Sequence, residues 1–296
     1  MYGQPLELVK WIERPEGLRE PALVCAFRGW NDAGESASTA LSVIVGDLDA
    51  RLVARVEGEE VFDYQTTRPI VTIADGKVEG VEWPDVEIWA ARSERAPRDL
   101  VLVLGSEPSY RWRTFCGAVL DMAQELGTRL VVTMGALLAD VPHTRPVRVG
   151  GLGSPPELIA GRGLRAPTYH GPTGIIGVFH HLAAERGLDA ASIWASVPHY
   201  LGTIRSAPGA LALTRTCEGI TGVTVDGREL EKAVAEYEHK VNLAVEQDQG
   251  LQELVGRLER EADREDAASS MEGLPSGDSL AQEIERFLRQ RDEPEA

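Results

Sequence analysis

Four short and continuous apolar runs limit what this chain can fold into. They are PALVCAF (21–27), DLVLVLG (99–105), RLVVTMGA (129–136) and SIWASV (192–197). Continuous rather than alternating hydrophobicity predicts strands that are buried on both faces, as in a parallel sheet. Segments with helical patterning separate the runs, at 34–48, 113–127 and 173–187. This alternation is typical of an α/β fold with helices on both faces of the sheet.

The region between residues 51 and 91 adds shorter strands to this pattern. RLVARVEGEEVFDY, IVTIADGKVEGVEW and DVEIWAA each read as strands, and some of them can form hairpins. Because hairpins are antiparallel, we predict a mixed, largely parallel sheet flanked by helices. The chain has 296 residues, of which 43% are hydrophobic, and this is enough for a sizeable core. We assign residues 1–226 to the α/β core domain.

The last quarter of the chain has a different composition. Residues 227–296 hold 19 acidic and 9 basic side chains, and therefore carry −10 of the formal net charge of −17. Apolar residues recur at spacings of four and three from Leu230 to Leu258, with one skipped position at Asp248. This spacing predicts one long amphipathic helix over 227–265, which either folds back on the sheet or contacts another subunit. A flexible linker (266–278), a short helix (279–291) and a disordered tail (292–296) are predicted to follow.

Composition also excludes several classes of function. A net charge of −17 argues against a protein that binds nucleic acid or an anionic membrane, since both need a basic patch. No apolar run is long enough to span a bilayer, and the first residues, MYGQPLELVKWIERP, contain no apolar signal core. Cys25, Cys116 and Cys217 are widely spaced, which is typical of buried thiols in a reducing compartment. We therefore expect a cytoplasmic protein.

Each apolar run is followed by a loop with polar chemistry. The loops contain the sequences RGWNDAG (28–34), SEPSYRWR (106–113), DVPHTRP (140–146) and PHY (198–200). If the four strands are parallel, these loops meet at the carboxyl edge of the sheet, where open α/β sheets bind ligands. The candidate residues of such a cleft are Arg28, Asn31, Asp32, Glu107, Arg111, Arg113, His143, Arg145 and His199.

The loop DVPHTRP has two interpretations. Its prolines restrict the backbone, so that Arg145 can clamp a carboxylate or phosphate and His143 can transfer a proton. In the other interpretation, His143 donates to a backbone carbonyl and Arg145 pairs with an internal acid, either Asp140 or Glu107. The sequence leaves both open.

The remaining candidates also have structural alternatives. Asn31 or Asp32 can cap the following helix, or a phosphate can bind at that helix N-terminus, although the spacing matches neither a dinucleotide fingerprint nor a P-loop. Glu107 can act as a general base or form an internal salt bridge. The chain contains no G-x-S-x-G motif and no pair of histidines with zincin spacing. No catalytic residue is assigned, and no metal or cofactor is expected.

Six stretches carry a resemblance to a known family. In chain order they are AFRGWNDAGESAS, YQTTRPIV, GSEPSYRWRTF, MGALLADVPHTRPVRV, YHGPTGIIG and SIWASVPHYL, between about residues 22 and 202. With these motifs the sequence resembles the proteasome assembly chaperone 2 family, in its bacterial branch. The resemblance implies a phosphorylase/hydrolase-like α/β core, homo-oligomers and a role in proteasome assembly, without established catalytic residues.

Family chaperones that dock on proteasome rings often end in a hydrophobic residue, a tyrosine and one more residue, whereas this sequence ends in RDEPEA. Ring docking by such a tail is therefore not expected.

Two functional hypotheses follow. The first is a non-enzymatic, homo-oligomeric binding or assembly scaffold, with proteasome subunits as partners and the C-terminal helices as interaction elements. The second is an enzyme or small-molecule binder that uses an arginine- and histidine-lined cleft for a phosphate- or carboxylate-bearing ligand. A purely structural oligomer, whose tail recruits a partner unrelated to proteasomes, is a third alternative.

Overall fold

The computed structural model describes residues 8–272, with side chains for residues 8–267. The strands are β1 (Val9–Trp11), β2 (Ala22–Arg28), β3 (Arg51–Val56), β4 (Ile70–Ala74), β5 (Lys77–Glu82), β6 (Val86–Ala91), β7 (Leu100–Ser106), β8 (Leu130–Ala139), β9 (Val149–Ser154) and β10 (Asp189–Pro198). The helices are α1 (Ser36–Asp47), α2 (Trp112–Glu125), α3 (Ile175–Glu185), α4 (Ala207–Thr221), α5 (Arg228–Glu246) and α6 (Gln249–Glu272). The chain divides into two compact units, Met1–Ala244 and Val245–Ala296.

The first unit contains an eight-stranded mixed sheet. Its strand order is β1-β3-β6-β7-β2-β8-β10-β9. The four apolar runs of the sequence are the adjacent strands β7, β2, β8 and β10, and these four are parallel to one another. The outer pairs β1–β3, β3–β6, β6–β7 and β10–β9 are antiparallel. The prediction of a mixed, largely parallel sheet flanked by helices, with a helical C-terminal part, is confirmed.

The position of strand β2, with a core cluster on each face of the sheet, explains why its sequence is apolar without interruption. Alternate residues of the strand belong to two different core clusters, one on each face of the sheet. Leu23, Cys25 and Phe27 pack in the cluster that contains α2 and α3, while Val24 and Ala26 pack in the cluster that contains α1 and α4. Because both faces are covered, neither set of positions has a reason to be polar.

The three cysteines are free and buried, as expected from the sequence. Burial raises the pKa of the Cys116 and Cys217 thiols to about 12, and it also raises the pKa of Cys25. All three thiols are therefore protonated near neutral pH. Since the thiolate is the nucleophilic form, none of them is set up for covalent catalysis.

The C-terminal part corrects the prediction of a single helix over 227–265. Two helices, α5 and α6, replace it, and the break lies at the skipped position, Asp248. The Asp248 carboxylate accepts a hydrogen bond from the backbone N–H of Leu251 at 3.0 Å, which is the geometry of a helix N-cap. The aspartate that interrupts the apolar spacing is therefore the N-cap of a second helix and not a polar residue within one continuous helix.

Two predicted boundaries also change. Most of α5 lies in the first unit, and its Leu230 is buried in the core, so the α/β domain does not end at residue 226. Helix α6 continues to Glu272, through the first part of the predicted linker 266–278. The remainder of that linker, the predicted helix 279–291 and the predicted tail 292–296 lie outside the described residues. No helix in residues 8–272 is both long and apolar enough to cross a membrane.

Three elements of the first unit were not predicted. Strand β1 is only three residues long, and β9 has the glycine-rich sequence VGGLGS, which reads as a loop. Helix α4 begins with Ala-Pro-Gly, a turn-like sequence. Proline is nevertheless tolerated in the first turn of a helix, and the Ser206 hydroxyl accepts a hydrogen bond from Gly209 N–H at 3.2 Å.

Candidate functional site at the carboxyl edge of the sheet

The loops after the four parallel strands are neighbours in the structure. The backbone N–H of Glu107, after β7, donates to the Arg28 carbonyl at the end of β2 at 2.8 Å. The N–H of Ala136 in β8 donates to the Asn31 carbonyl at 2.7 Å. His199 Nδ1, after β10, lies 3.0 Å from Asp140 Oδ1, after β8. The carboxyl edge therefore brings together candidate residues that are far apart in the sequence.

Asn31 and Glu107 connect two of these loops to helix α3. Asn31 Nδ2 donates to Glu107 Oε1 at 2.6 Å, and the backbone N–H of Ile175 donates to the same oxygen at 2.8 Å. The Glu107 carboxylate thus caps the N-terminus of α3, where the helix dipole favours negative charge. A Cβ at Gly174 would lie 2.1 Å from Asn31 Oδ1, so this close approach requires glycine. These contacts favour a structural role for Glu107 over a general base.

Asp32 occupies the N-terminus of helix α1. Its carboxylate accepts hydrogen bonds from Ala37 N–H at 2.7 Å, from Ser38 N–H at 3.2 Å and from the Ser38 hydroxyl at 2.5 Å. Burial raises the pKa of Asp32, and the hydrogen bonds from Ser38 and Ala37 oppose that rise. Because a carboxylate already takes the N–H groups that an anion would use, the geometry favours capping over a phosphate site.

His143, in the DVPHTRP loop, is held by two side chains. Its backbone N–H donates to the Tyr200 hydroxyl oxygen at 2.9 Å, and its Nδ1 lies 2.8 Å from that oxygen. Its Nε2 lies 3.0 Å from Asn242 Oδ1, in α5. Because the Asn242 oxygen can only accept, Nε2 donates to it, and in the neutral imidazole Nδ1 then accepts from the tyrosine hydroxyl. The side-chain partners are a hydroxyl and an amide, not the backbone carbonyl that the sequence suggested.

Helix α5 supplies a second tyrosine to this region. Tyr237 is buried, and burial raises the pKa of its hydroxyl to about 12. Ser206, the residue that caps α4, lowers this pKa, and the Coulombic effect of Tyr200 raises it further. Together with His143, these residues join the loops after β8 and β10 to α4 and α5.

Sequence reasoning missed Tyr200, Tyr237 and Asn242 as parts of this region. Tyr200 belongs to the PHY motif, and Tyr237 is one of the regularly spaced apolar residues between Leu230 and Leu258, so both had a signal in the sequence. Asn242 is polar and follows the seam residue Val241, and nothing in the local pattern marks it.

The candidate arginines are more exposed and do not form one cluster. Arg111 pairs with Glu60, in the turn after β3, at 3.0 Å. Arg28 and Arg113 are exposed.

Arg145 is partly buried, and its Nη1 donates to the Thr144 carbonyl at 3.3 Å. The two acids considered as its partners have contacts of their own, Asp140 with His199 and Glu107 with Asn31.

Large apolar side chains are exposed at the ends of the parallel strands, in the loops that follow them and in the segment before α3. We call the set the carboxyl-edge apolar surface: Trp30, Tyr110, Leu137, Leu138, Tyr169 and Ile204. Each is between 44% and 69% exposed. Leu138 packs close to Gly202, where a Cβ would lie 2.8 Å from its Cδ2. Exposed apolar side chains of this size mark an interaction site where they lie next to one another. Among the side chains described for residues 8–267, by contrast, no group of three or more His, Cys, Asp or Glu is placed to hold a metal ion.

Comparison with protein families identifies the chain. The model of the PAC2 family matches residues 26–245, which is most of the sequence. The chain belongs to the PAC2 family. The resemblance seen in its motifs is thereby confirmed, and the matched residues extend from β2 to the end of α5.

Solved structures of PAC2 proteins and their relatives share this fold. A proteasome-assembly chaperone homologue from Mycobacterium tuberculosis is 37% identical, with a TM-score of 0.74, over 79% of this chain and 99% of the other. A PAC2 family protein from Streptomyces avermitilis is 38% identical, with a TM-score of 0.72, over the same two shares. An archaeal proteasome activator from Pyrococcus furiosus shares the fold at 21% identity, with a TM-score of 0.64, over 80% of this chain and 97% of the other. None of the curated proteins compared with the chain matches it.

Proposed function

We propose that this PAC2 family protein is a non-enzymatic, homo-oligomeric scaffold that binds proteasome subunits during assembly. Its relatives include a proteasome-assembly chaperone homologue at 37% identity. A more distant protein of the same fold is described as a proteasome activator. The acidic charge and the free cysteines support a cytoplasmic location for such a scaffold.

The proposal rests on one observation at the carboxyl edge: several candidate polar groups are hydrogen-bonded within the chain, whereas large apolar side chains are exposed. Asp32, His143, Glu107 Oε1 and Asn31 Nδ2 form hydrogen bonds within the chain. Besides the exposed Arg28 and Arg113, this region exposes six large apolar side chains, and the two most exposed of them are the aromatic residues Trp30 and Tyr169. A surface of this kind suits the apolar patch of another protein better than a small anionic ligand, because aromatic side chains dominate protein interfaces.

The test is capture of proteasome core-particle subunits or half-particles by the tagged, full-length chain, from cell extract and from purified subunits. We expect capture by the wild type and at least a tenfold loss, about 1.4 kcal/mol, when Trp30→Ser and Leu138→Ser are combined. Ile12→Ser is the matched control, because Ile12 is 58% exposed but follows β1 instead of a parallel strand. Failure of the wild type to associate with any α-type subunit would remove the proteasome claim.

A thermal-shift screen with phosphates, nucleosides and carboxylates tests the small-molecule alternative. The scaffold proposal predicts no stabilisation by these compounds. Stabilisation that is lost in an Arg145→Ala variant would instead support a ligand cleft, because a ligand that binds the folded state raises the melting temperature.

A further inference from the structure

The β4–β5 hairpin has one strongly apolar face. Its pairing places Val71 opposite Val81 and Ile73 opposite Val78, and opposed residues project from the same face of a sheet. Val78 and Val81 are three positions apart, so a regular strand would send them to opposite faces. A β-bulge leaves Glu79 as an extra residue in β5 and thereby brings both valines to one face. We call these four β-branched side chains the hairpin face.

The hairpin face is exposed, although its residues are typical of a protein interior. The exposed fractions of its four side chains lie between 47% and 63%. Both strands are within the described residues, and none of their side chains belongs to either core cluster. At the base of the hairpin, the rings of Trp83 and Tyr64 pack edge to face, with centroids 4.9 Å apart. A two-stranded sheet in water is marginally stable, so a face of this kind needs a partner.

Strand β5 also offers its backbone to a partner. Within residues 8–272 it pairs only with β4, so the N–H and C=O groups of its outer edge are available to another strand. Strand β4 is less suitable, because it follows Pro69, which lacks a backbone N–H, and because Ile70–Ala74 contains no charged residue to set a register.

We propose that the hairpin is a dimer interface in which β5 pairs antiparallel with β5 of a second copy of this chain. The sequence of β5, KVEGVE, is complementary to itself when reversed. Antiparallel pairing about its centre puts Lys77 opposite Glu82 of the second copy and Val78 opposite its Val81. Each dimer then contains two Lys–Glu pairs and two Val–Val pairs, and opposed pairs of both kinds stabilise sheets.

The faces of the hairpin are consistent with this pairing. A twofold axis normal to the sheet keeps every residue on its own face, so opposed residues must share a face within one chain. Val78 and Val81 share the hairpin face. Lys77 and Glu82 share the other face, since their partners in β4 are Ala74 and Ile70, which are four residues apart. The result is a four-stranded sheet with a continuous apolar face.

The charges also select the register. Sliding β5 by two positions in one direction puts Glu79 opposite Glu82, and sliding it in the other puts Lys77 opposite Gly80. Both shifts remove the two Lys–Glu pairs, and the first creates like-charge contacts. Because hairpin pairing buries less than a standard interface, we expect association in roughly the micromolar range.

This inference rests on the proposed homo-oligomer and assigns its interface. The test is sedimentation velocity of the full chain between about 1 and 100 µM, the range expected for a small interface. Lys77→Glu and Glu82→Lys should each raise the dimer dissociation constant by about tenfold or more, because each creates two like-charge pairs. The double variant should restore the wild-type constant within about threefold, since both pairs are re-formed with reversed charges. Lys10→Glu, at an exposed lysine of β1, is the control for net charge.

The outcomes separate the inference from the proposed function. A dimer that persists in both single variants, or a double variant that stays monomeric, overturns the hairpin interface and leaves the homo-oligomer standing. A wild type that is monomeric over the whole range overturns both, whereas capture of proteasome subunits is measured independently.

A disulfide experiment tests the register itself. Val78→Cys combined with Val81→Cys should form a dimer linked by disulfides on mild oxidation, while each single variant should not, because neither position faces itself across the axis. The natural cysteines are buried and give little background. Equal crosslinking in the single and the double variants would overturn the register.

Discussion

Strands β2 and β4 are both short and rich in aliphatic residues, but they lie in opposite environments. Strand β2 is hydrogen-bonded to β7 and β8 and is covered by helices on both faces, and its first six residues are buried. Strand β4 pairs only with β5 among the described residues, and its Ile70 and Ile73 are 65% and 63% exposed. An apolar run therefore predicts that a segment will be buried against something, but it does not show that the same chain provides the residues that bury it.

Valine-to-alanine substitutions in β2 and β5 should give the largest difference in stability between the two regions. Val24→Ala in β2 removes two buried methyl groups and should lower the free energy of unfolding by about 2–3 kcal/mol. Val81→Ala in β5 should lower it by less than about 1 kcal/mol, since the side chain is largely solvated in a single chain. Both are measured by chemical denaturation at low protein concentration, where association contributes least. Equal losses would mean that the hairpin face is covered within one chain.

A second comparison concerns the stability that is lost when a hydrogen-bonded tyrosine hydroxyl is removed from a partly buried or from an exposed position. Tyr200→Phe removes the hydroxyl that contacts both the backbone and the ring of His143, and should cost about 1–2 kcal/mol of stability. Tyr169→Phe removes a hydroxyl that donates to the nearby Pro172 carbonyl from an exposed side chain, and should cost less than about 0.5 kcal/mol. Thermal or denaturant unfolding measures both. If Tyr200→Phe were as mild as its control, the His143 network would not stabilise the carboxyl edge.

The smallest expected effect is a dependence on pH at Asp32. Burial raises its folded pKa above the unfolded value of 3.8, so the folded state binds more protons than the unfolded state between those two values. The stability that Asp32 contributes is therefore greatest below pH 3.8 and declines as the pH rises through the folded pKa. The difference in unfolding free energy between wild type and Asp32→Asn should fall over this range. A difference that is constant or increases with pH would contradict the assigned direction.

Much of the fold could be predicted because its signals are local. The continuous apolar runs marked β2, β7, β8 and β10, and the order of strands and helices implied that their loops share one edge. The Asp248 position was noticed as an irregularity, but its role as a helix cap was missed, because a skipped residue in a seam is compatible with either a continuous helix or a break. Strand β9 and helix α4 were missed because glycine and proline there resemble turns.

The candidate site was less predictable, because its contacts are not local. His143 and Asn242 are 99 positions apart, and Asn31 and Glu107 are 76 apart. A buried, largely parallel sheet with polar loops at one edge was already evident from the sequence, since hydrophobic periodicity and turn residues act over a few positions. The pairing of Asn31 with Glu107, the contacts of His143 with Tyr200 and Asn242, and the exposure of Trp30 became evident only in the folded chain. Hydrogen-bond partners and solvent exposure depend on which distant segments meet, and no local pattern encodes that.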